Sequence, residues 1–575
     1  MEEQLKAALE LHEQGDLPGA LQLYEKVLRE EQPPLVAFLN ASSILRSEKK
    51  TKQSIACLKR GIVLYPNEPG LWNNLGNCHL DANALTLAIG NYRKALTLKP
   101  EFIDSRISLA TCLRDLGHVH LAYATIKNQY HKSNNKEERQ RLLIPLVETI
   151  LALTSKRDAR FKPQDLDAFV QLVESEVRQQ VDSGDPCRAG MLLTELWLQV
   201  DQLDRAIASR EQLIEDTHQF FSKPDKKHLR LKDSFHSAWN TLSWNLSIKL
   251  LKKGRFKEGW RLYEHGLQVA AEGPQRWQRS LKKPYSCSEI HFWRGESLAE
   301  KNLLLLGEQG IGDSMMFATL IPRLQQEGAQ ITLFPGDRLV SMYKRSLPNI
   351  TVLTSNDLKQ GHLKATDFDF QSPLGSICQY RFHKLDDYGP RSPILKADPV
   401  QTAQLRQRYS DGRPLVGISW QGGGKANRIA LKSLTLKQMT PLLERSDCKF
   451  VSLQYGDDGP HLERYKKATG IEILHDNAID PLRDMDGWLN QVAAMDAVIS
   501  IANTTVHGAG GLGVPTLCLV SQQSDWRWID PNIYKGCYWY PSVDAYYQDQ
   551  NGSWESALNE APNWLKSQLK ATIAA

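Results

Sequence analysis

The chain has 575 residues, 41% of them hydrophobic and 24% charged, with a formal net charge of +5. That length exceeds a single hydrophobic core and implies roughly three to four domains, while the composition excludes a disordered or collagen-like chain. So small a charge gives no ground for a nucleic-acid partner; it accords with anionic small ligands or, more simply, with ordinary solubility.

The nine cysteines are scattered, with no C-x-x-C pair and no metal-ligand spacing, as expected of a reduced, cytoplasmic protein. Residues 1–16 read as a polar amphipathic helix rather than a signal peptide, and the longest aliphatic run, 303–306, is too short to span a bilayer.

In chain order, the first elements are helix pairs. Pro66 and Pro100 close two similar phrases 34 residues apart, which is the period of tetratricopeptide repeats. Trp72, Leu75, Gly76, Ala88, Tyr92 and Ala95 fall where such a repeat needs its large and small packing residues; Ala20, Tyr24 and Pro33 do so earlier, and Leu109, Leu113, Gly117 and Ala124 later. Units of this kind cannot bury their apolar faces alone, so they stack into a solenoid. We expect repeats over 1–130 and a further helical, repeat-like or linker region over 131–284, where Trp239, Asn240 and Asn245 read as packing residues or as partner contacts.

Near residue 285 the pattern changes to strand–helix alternation. Apolar runs at 303–306, 331–334, 350–353, 415–420, 450–453, 471–474, 497–501 and 516–520 alternate with helical segments such as 313–326, 436–445 and 488–495. Runs of this length are those of buried parallel strands with crossover helices. A Pro-, Gly- and Asp-rich stretch over 385–399 divides them into two Rossmann-like blocks, 285–398 and 399–575. The expected fold is therefore an α-helical TPR-type solenoid followed by two α/β Rossmann-like domains.

Two stretches join a strand to a small-residue helix start: Gly307-Glu308-Gln309-Gly310-Ile311-Gly312-Asp313 and Asn503-Thr504-Thr505-Val506-His507-Gly508-Ala509-Gly510. Unpaired N–H groups and the helix dipole make such starts suitable for phosphate, with Gly310 and Gly312 permitting close approach in the first. In the second, Asn503, Thr504, Thr505 and His507 offer N–H groups, hydroxyls and an imidazole, with Gly508, Gly510 and Gly511 allowing close approach; the alternative for His507 is a core histidine. Lys425, Arg428, Lys432 and Ser433, after the glycine loop at 422–424, would bring mobile positive charge to a bound phosphate.

These stretches, together with Trp293-Arg294-Gly295-Glu296-Ser297-Leu298, Ser419-Trp420-Gln421-Gly422-Gly423, Gln454-Tyr455-Gly456-Asp457, Asp525-Trp526-Arg527-Trp528 and Trp539-Tyr540-Pro541, resemble bacterial tetratricopeptide-repeat glycosyltransferases. The C-terminal part of those proteins is similar to lipopolysaccharide heptosyltransferases, and the resemblance runs from about residue 293 to 554. It implies a GT-B arrangement of the two Rossmann-like domains, acceptor-side first and nucleotide-sugar donor-side second. It further implies a metal-independent, inverting transfer from a nucleotide-sugar, with no cofactor, in which Asp313 is the general base. A carboxylate in that role contributes about 10²–10⁴-fold to rate; the simpler reading is that Asp313 caps its helix. Gln421, Gln454, Tyr455, Asp525 and Trp526 join the expected donor-side residues. One position departs from the pattern: Ala502 stands where many such proteins carry Asp.

Three D-x-D pairs, Asp165/Asp167, Asp367/Asp369 and Asp484/Asp486, are frequent enough by chance that we expect no metal. The expected partner is a protein acceptor, such as flagellin or another surface protein, recruited by the repeats. The alternatives are a non-catalytic scaffold with a degenerate nucleotide-binding module, and a sugar-nucleotide epimerase or hydrolase.

Overall fold

The repeat period reappears in the backbone of the computed structural model. The structure describes residues 1–155, 201–221, 226–268, 289–308, 310–360, 364–388, 392–423, 432–456, 458–522, 526–549 and 551–574, with single positions between them (191, 194, 195, 197, 198, 429 and 524). Helices α1 (Glu2–Glu13) and α2 (Leu17–Val27), α3 (Leu35–Ser47) and α4 (Thr51–Leu64), α5 (Pro69–Asp81) and α6 (Leu85–Leu98), and α7 (Ile103–Asp115) and α8 (Val119–Lys132) form successive helix–turn–helix pairs. Each turn places one residue at positive φ two positions before the second helix: Gly15 (85°), Lys49 (61°), Asn83 (56°) and Gly117 (85°), spaced by 34 residues. Glycine enters that left-handed region without steric cost, whereas lysine does not. Gly76 shows the other demand of the repeat: a Cβ there would stand 2.5 Å from the ring of Tyr92, which is fully buried and donates its hydroxyl to Asn77 at 2.8 Å. Further along lie α9 (Lys136–Ser155) and α10 (Leu203–Phe221), the latter preceded by the same turn at Asp201 (φ 62°).

The chain divides into two compact units, Met1–Ser222 and Lys223–Ala575. The second begins with α11 (Lys226–Lys252) and α12 (Phe256–Tyr263), joined through Gly254 at φ 70° and so built on the turn used by the repeats. Trp239 and Asn240 of α11 are buried, the latter bonded through Oδ1 to His265 at 2.8 Å. This pair packs against the α/β part of its own unit. Trp260 is fully buried and donates its indole N–H to Tyr388 at 2.9 Å, Lys253 pairs with Asp530 at 3.0 Å, and Ser376 donates to Glu264 at 2.9 Å.

Two parallel sheets follow. In the first, β1 (Asn302–Leu306) is central, between β2 (Gln330–Phe334) and β4 (Phe370–Pro373), with β3 (Thr351–Val352) at the edge in the order β3-β2-β1-β4. In the second, the order is β6 (Lys449–Ser452), β5 (Leu415–Ser419), β7 (Ala497–Ile501), β8 (Thr516–Val520), β9 (Val543–Tyr547). Every residue of β5, β7 and β8 is buried, which explains their largely apolar sequences.

Several sequence expectations change in detail. The run at 471–474 is not a strand; it meets β6 in a single bridge, Val451 with Leu474, before the chain turns away. The helix expected over 313–326 is two helices, α13 (Ile311–Ala318) and α14 (Ile321–Gln326), because Pro322 lacks the N–H needed to continue the first. Strands β4 and β9 extend the sheets beyond the expected runs. The helices expected at 436–445 and 488–495 are α15 (Leu436–Leu443) and α16 (Met485–Ala493), and the second glycine-rich start opens α17 (Thr504–Leu512).

Candidate active site

Both helix starts stand at the C-terminal ends of central strands. β1 runs into Gly307 and Glu308, and Glu308 is pinned: Ser314 Oγ donates to the Glu308 carbonyl at 3.1 Å and accepts the Glu308 N–H at 3.0 Å. Glu308 itself is only 3% exposed and its Oε1 accepts the Gly375 N–H at 2.7 Å. A buried carboxylate needs such a donor, and here it ties β1's loop to the turn after β4.

Gly310 is the N-cap of α13, so Asp313 lies in the first turn rather than at the cap. Its side chain is 19% exposed and its Oδ1 accepts Arg527 Nε at 2.6 Å, with Arg527 Nη2 bonding the same oxygen. The glycines beside it lie in close approach: a Cβ on Gly310 would lie 2.5 Å from Asp313 Oδ2, and one on Gly312 would lie 2.7 Å from His507 Cδ2. The last distance brings the two helix starts together, since α13 packs on α17.

At α17, Asn503 is the N-cap. Its Oδ1 accepts the Thr505 N–H at 2.9 Å and the Ser500 hydroxyl at 3.0 Å, while its Nδ2 donates to Ser419 Oγ at 2.8 Å. Val506 N–H bonds the Asn503 carbonyl, so Thr504, half-buried, is the residue of the first turn whose N–H takes no part in these bonds. Thr505 is 3% exposed; His507 is 7% exposed, with Nδ1 3.2 Å from the Tyr540 hydroxyl. The glycines further along were expected to admit a ligand. Instead they admit neighbouring side chains: a Cβ on Gly508, Gly510 or Gly511 would meet Trp488, Tyr540 or Leu395 at 2.5–2.6 Å.

Gln454 is committed to the protein rather than exposed to a ligand. Its Oε1 accepts from Ser419 Oγ, Trp420 N and Gln421 N at 2.9–3.1 Å, and its Nε2 donates to the Gln421 carbonyl at 3.0 Å, so it shapes the loop after β5. Ser433 Oγ likewise accepts the Gly422 N–H at 3.1 Å. Gln421 is exposed and Lys432 half-buried. The Tyr455 hydroxyl hangs over Gly423, 2.7 Å from where a Cβ would stand, and burial pushes its phenol up, so it stays protonated at neutral pH. Lys425, Arg428 and Asp525 lie outside the described residues.

Trp526, expected among the donor-side residues, is instead core. It is 2% exposed, stacked on Phe317 (5.8 Å, 23°) and edge-on to Trp260 (5.4 Å). Its neighbour Arg527, absent from the expected set although its phrase was singled out, is the residue that reaches Asp313. Glu308 and Tyr540 were missed similarly. The D-x-D carboxylates are otherwise engaged: Asp367 accepts the Lys364 N–H, Asp369 the Asn302 N–H and Lys301 ammonium, Asp484 the Gly487 N–H, and Asp486 pairs with Arg345. Asp165 and Asp167 lie outside the described residues. A cleft of about 270 Å³ opens at the ends of β1 and β2, lined by Glu308, Ile311, Ser314, Asp337 and Arg338.

Comparison with known proteins gives the repeats a family. Residues 39–101 match the tetratricopeptide repeat family. Protein FlbA of Caulobacter vibrioides is 27% identical over 332 residues, covering 55% of this chain and 53% of that protein, so the chain spans about half the length of this relative. A tetratricopeptide repeat protein from Parabacteroides merdae is 12% identical, over 47% of this chain and 94% of that one, at a TM-score of 0.35. The E. coli ADP-heptose lipopolysaccharide heptosyltransferase II is 13% identical, over 47% of this chain and 99% of that one, also at 0.35. Scores of this size define no shared fold by themselves. No helix among the described residues is long and apolar enough to cross a membrane.

Proposed function

We propose that the second unit is a glycosyltransferase that moves a sugar from a nucleotide-sugar to an acceptor brought by the repeats, a protein being the acceptor class that repeat surfaces suit. The observation that carries the reading is the meeting of two strand-to-helix starts, one holding a carboxylate, Asp313, and the other a capped helix start with Thr504 and a buried His507. The sequence phrases shared with tetratricopeptide-repeat glycosyltransferases support the same assignment.

In this reading an acceptor hydroxyl attacks the anomeric carbon while Asp313 takes its proton. The bond from that carbon to the diphosphate breaks, and the leaving group's charge is met by the α17 dipole, the Thr504 N–H and the threonine hydroxyls. The cleft beside β1 and β2 is the acceptor's approach. Asn503 and Gln454 act by fixing loops, not by touching donor.

A non-catalytic scaffold has one observation in its favour, Ala502 in place of a carboxylate. The two readings separate in one experiment: release of free nucleotide from a panel of nucleotide-sugars by the purified chain, with and without host lysate. Acceptor-dependent release supports transfer, donor binding without release supports the scaffold, and acceptor-independent release supports a hydrolase.

A further inference from the structure

Asp313 and Phe317 are four residues apart on α13 and so share one of its faces. The dipeptide Trp526-Arg527 meets that face at both points, Trp526 stacking on Phe317 and Arg527 bonding Asp313. The guanidinium is held before it reaches the carboxylate, because it lies over the Trp526 ring at 4.6 Å, and Trp526 is fixed in turn against Trp260 and Tyr263. We infer that Arg527 is a positioning residue for Asp313: it fixes the direction of the carboxylate and keeps it in the form that accepts a proton. This inference rests on the transferase reading above.

A base carried on a flexible side chain loses rate through misdirection, and a carboxylate beside an opposite charge favours its ionised state. Arginine suits the position because its planar group can stack on indole and bond through two nitrogens at once. Lysine supplies the charge without either.

The test uses the full chain and the donor found in the panel, with the active lysate fraction, across pH. Arg527→Gln is expected to lower kcat about 10²-fold with the donor KM unchanged. It should also move the acid-side fall of activity to higher pH, since the carboxylate has lost its counter-charge. Arg527→Lys should keep the wild-type acid limb and recover part of kcat, and it serves if the Gln variant does not fold. In an Asp313→Asn background, Arg527→Gln should cost nothing further. Unchanged kcat and pH profile, or an equal loss without Asp313, overturns the inference while leaving the transferase reading intact. Absence of turnover by the wild-type chain with every donor overturns both.

Discussion

At Gly312 one helix start lies directly against the other. A methyl there has no room, because the facing atom belongs to a buried histidine held against Tyr540. Gly312→Ala should therefore destabilise the second unit by about 1–3 kcal/mol, read from its urea unfolding midpoint, as overpacked cores do. At this scale the sequence was legible wherever a residue's role is set by its immediate neighbours along the chain. Asp313 announced itself by following a glycine loop, and Asn503 by preceding a helix. Arg527 did not, because its partner lies 214 positions away and the path of the chain after β8 decides the meeting. Trp526 misled for a related reason: an aromatic residue after a strand end reads alike whether it faces a ligand or, as here, Phe317 and Trp260. The glycines of α17 give the same lesson, since a small residue records close approach without recording of what.

Among the elements, the turns of the repeats carry an uneven strain. Gly15 and Gly117 occupy the left-handed position freely, whereas Lys49 holds φ 61° with a side chain in place. Lys49→Gly should stabilise the first unit by about 0.5–1 kcal/mol, the relief of left-handed backbone less the extra freedom glycine brings to the unfolded chain. A thermal melt of the variant beside the wild type checks it, and a lowered midpoint would show that Lys49 contributes something its backbone does not reveal. The 34-residue period was visible through Pro66 and Pro100, but not through these turns, since lysine and asparagine carry no left-handed signature as strong as glycine's. The same limit hid β9, whose residues form no apolar run, and the break before Pro322, where apolar periodicity continues although the helix does not.

For the whole molecule, the repeat-type turn at Gly254 belongs to the second unit, where α11 and α12 support the aromatic cluster under Arg527. A fragment of residues 223–575 should fold and melt cooperatively. One beginning at residue 289, without Trp260 and its bond to Tyr388, should expose that cluster and lose cooperative unfolding. Circular dichroism melts of the two fragments distinguish these outcomes; equal stability would mean that the helix pair contributes little to the α/β core. Sugar transfer by this unit, as proposed above, requires Asp313 as base. Its most direct test is nucleotide release at saturating donor and acceptor by the wild-type chain and by Asp313→Asn, with donor affinity measured in parallel. A rate about 10²–10⁴-fold lower in the variant with donor affinity unchanged is expected; equal rates in the two proteins would rule Asp313 out as the base.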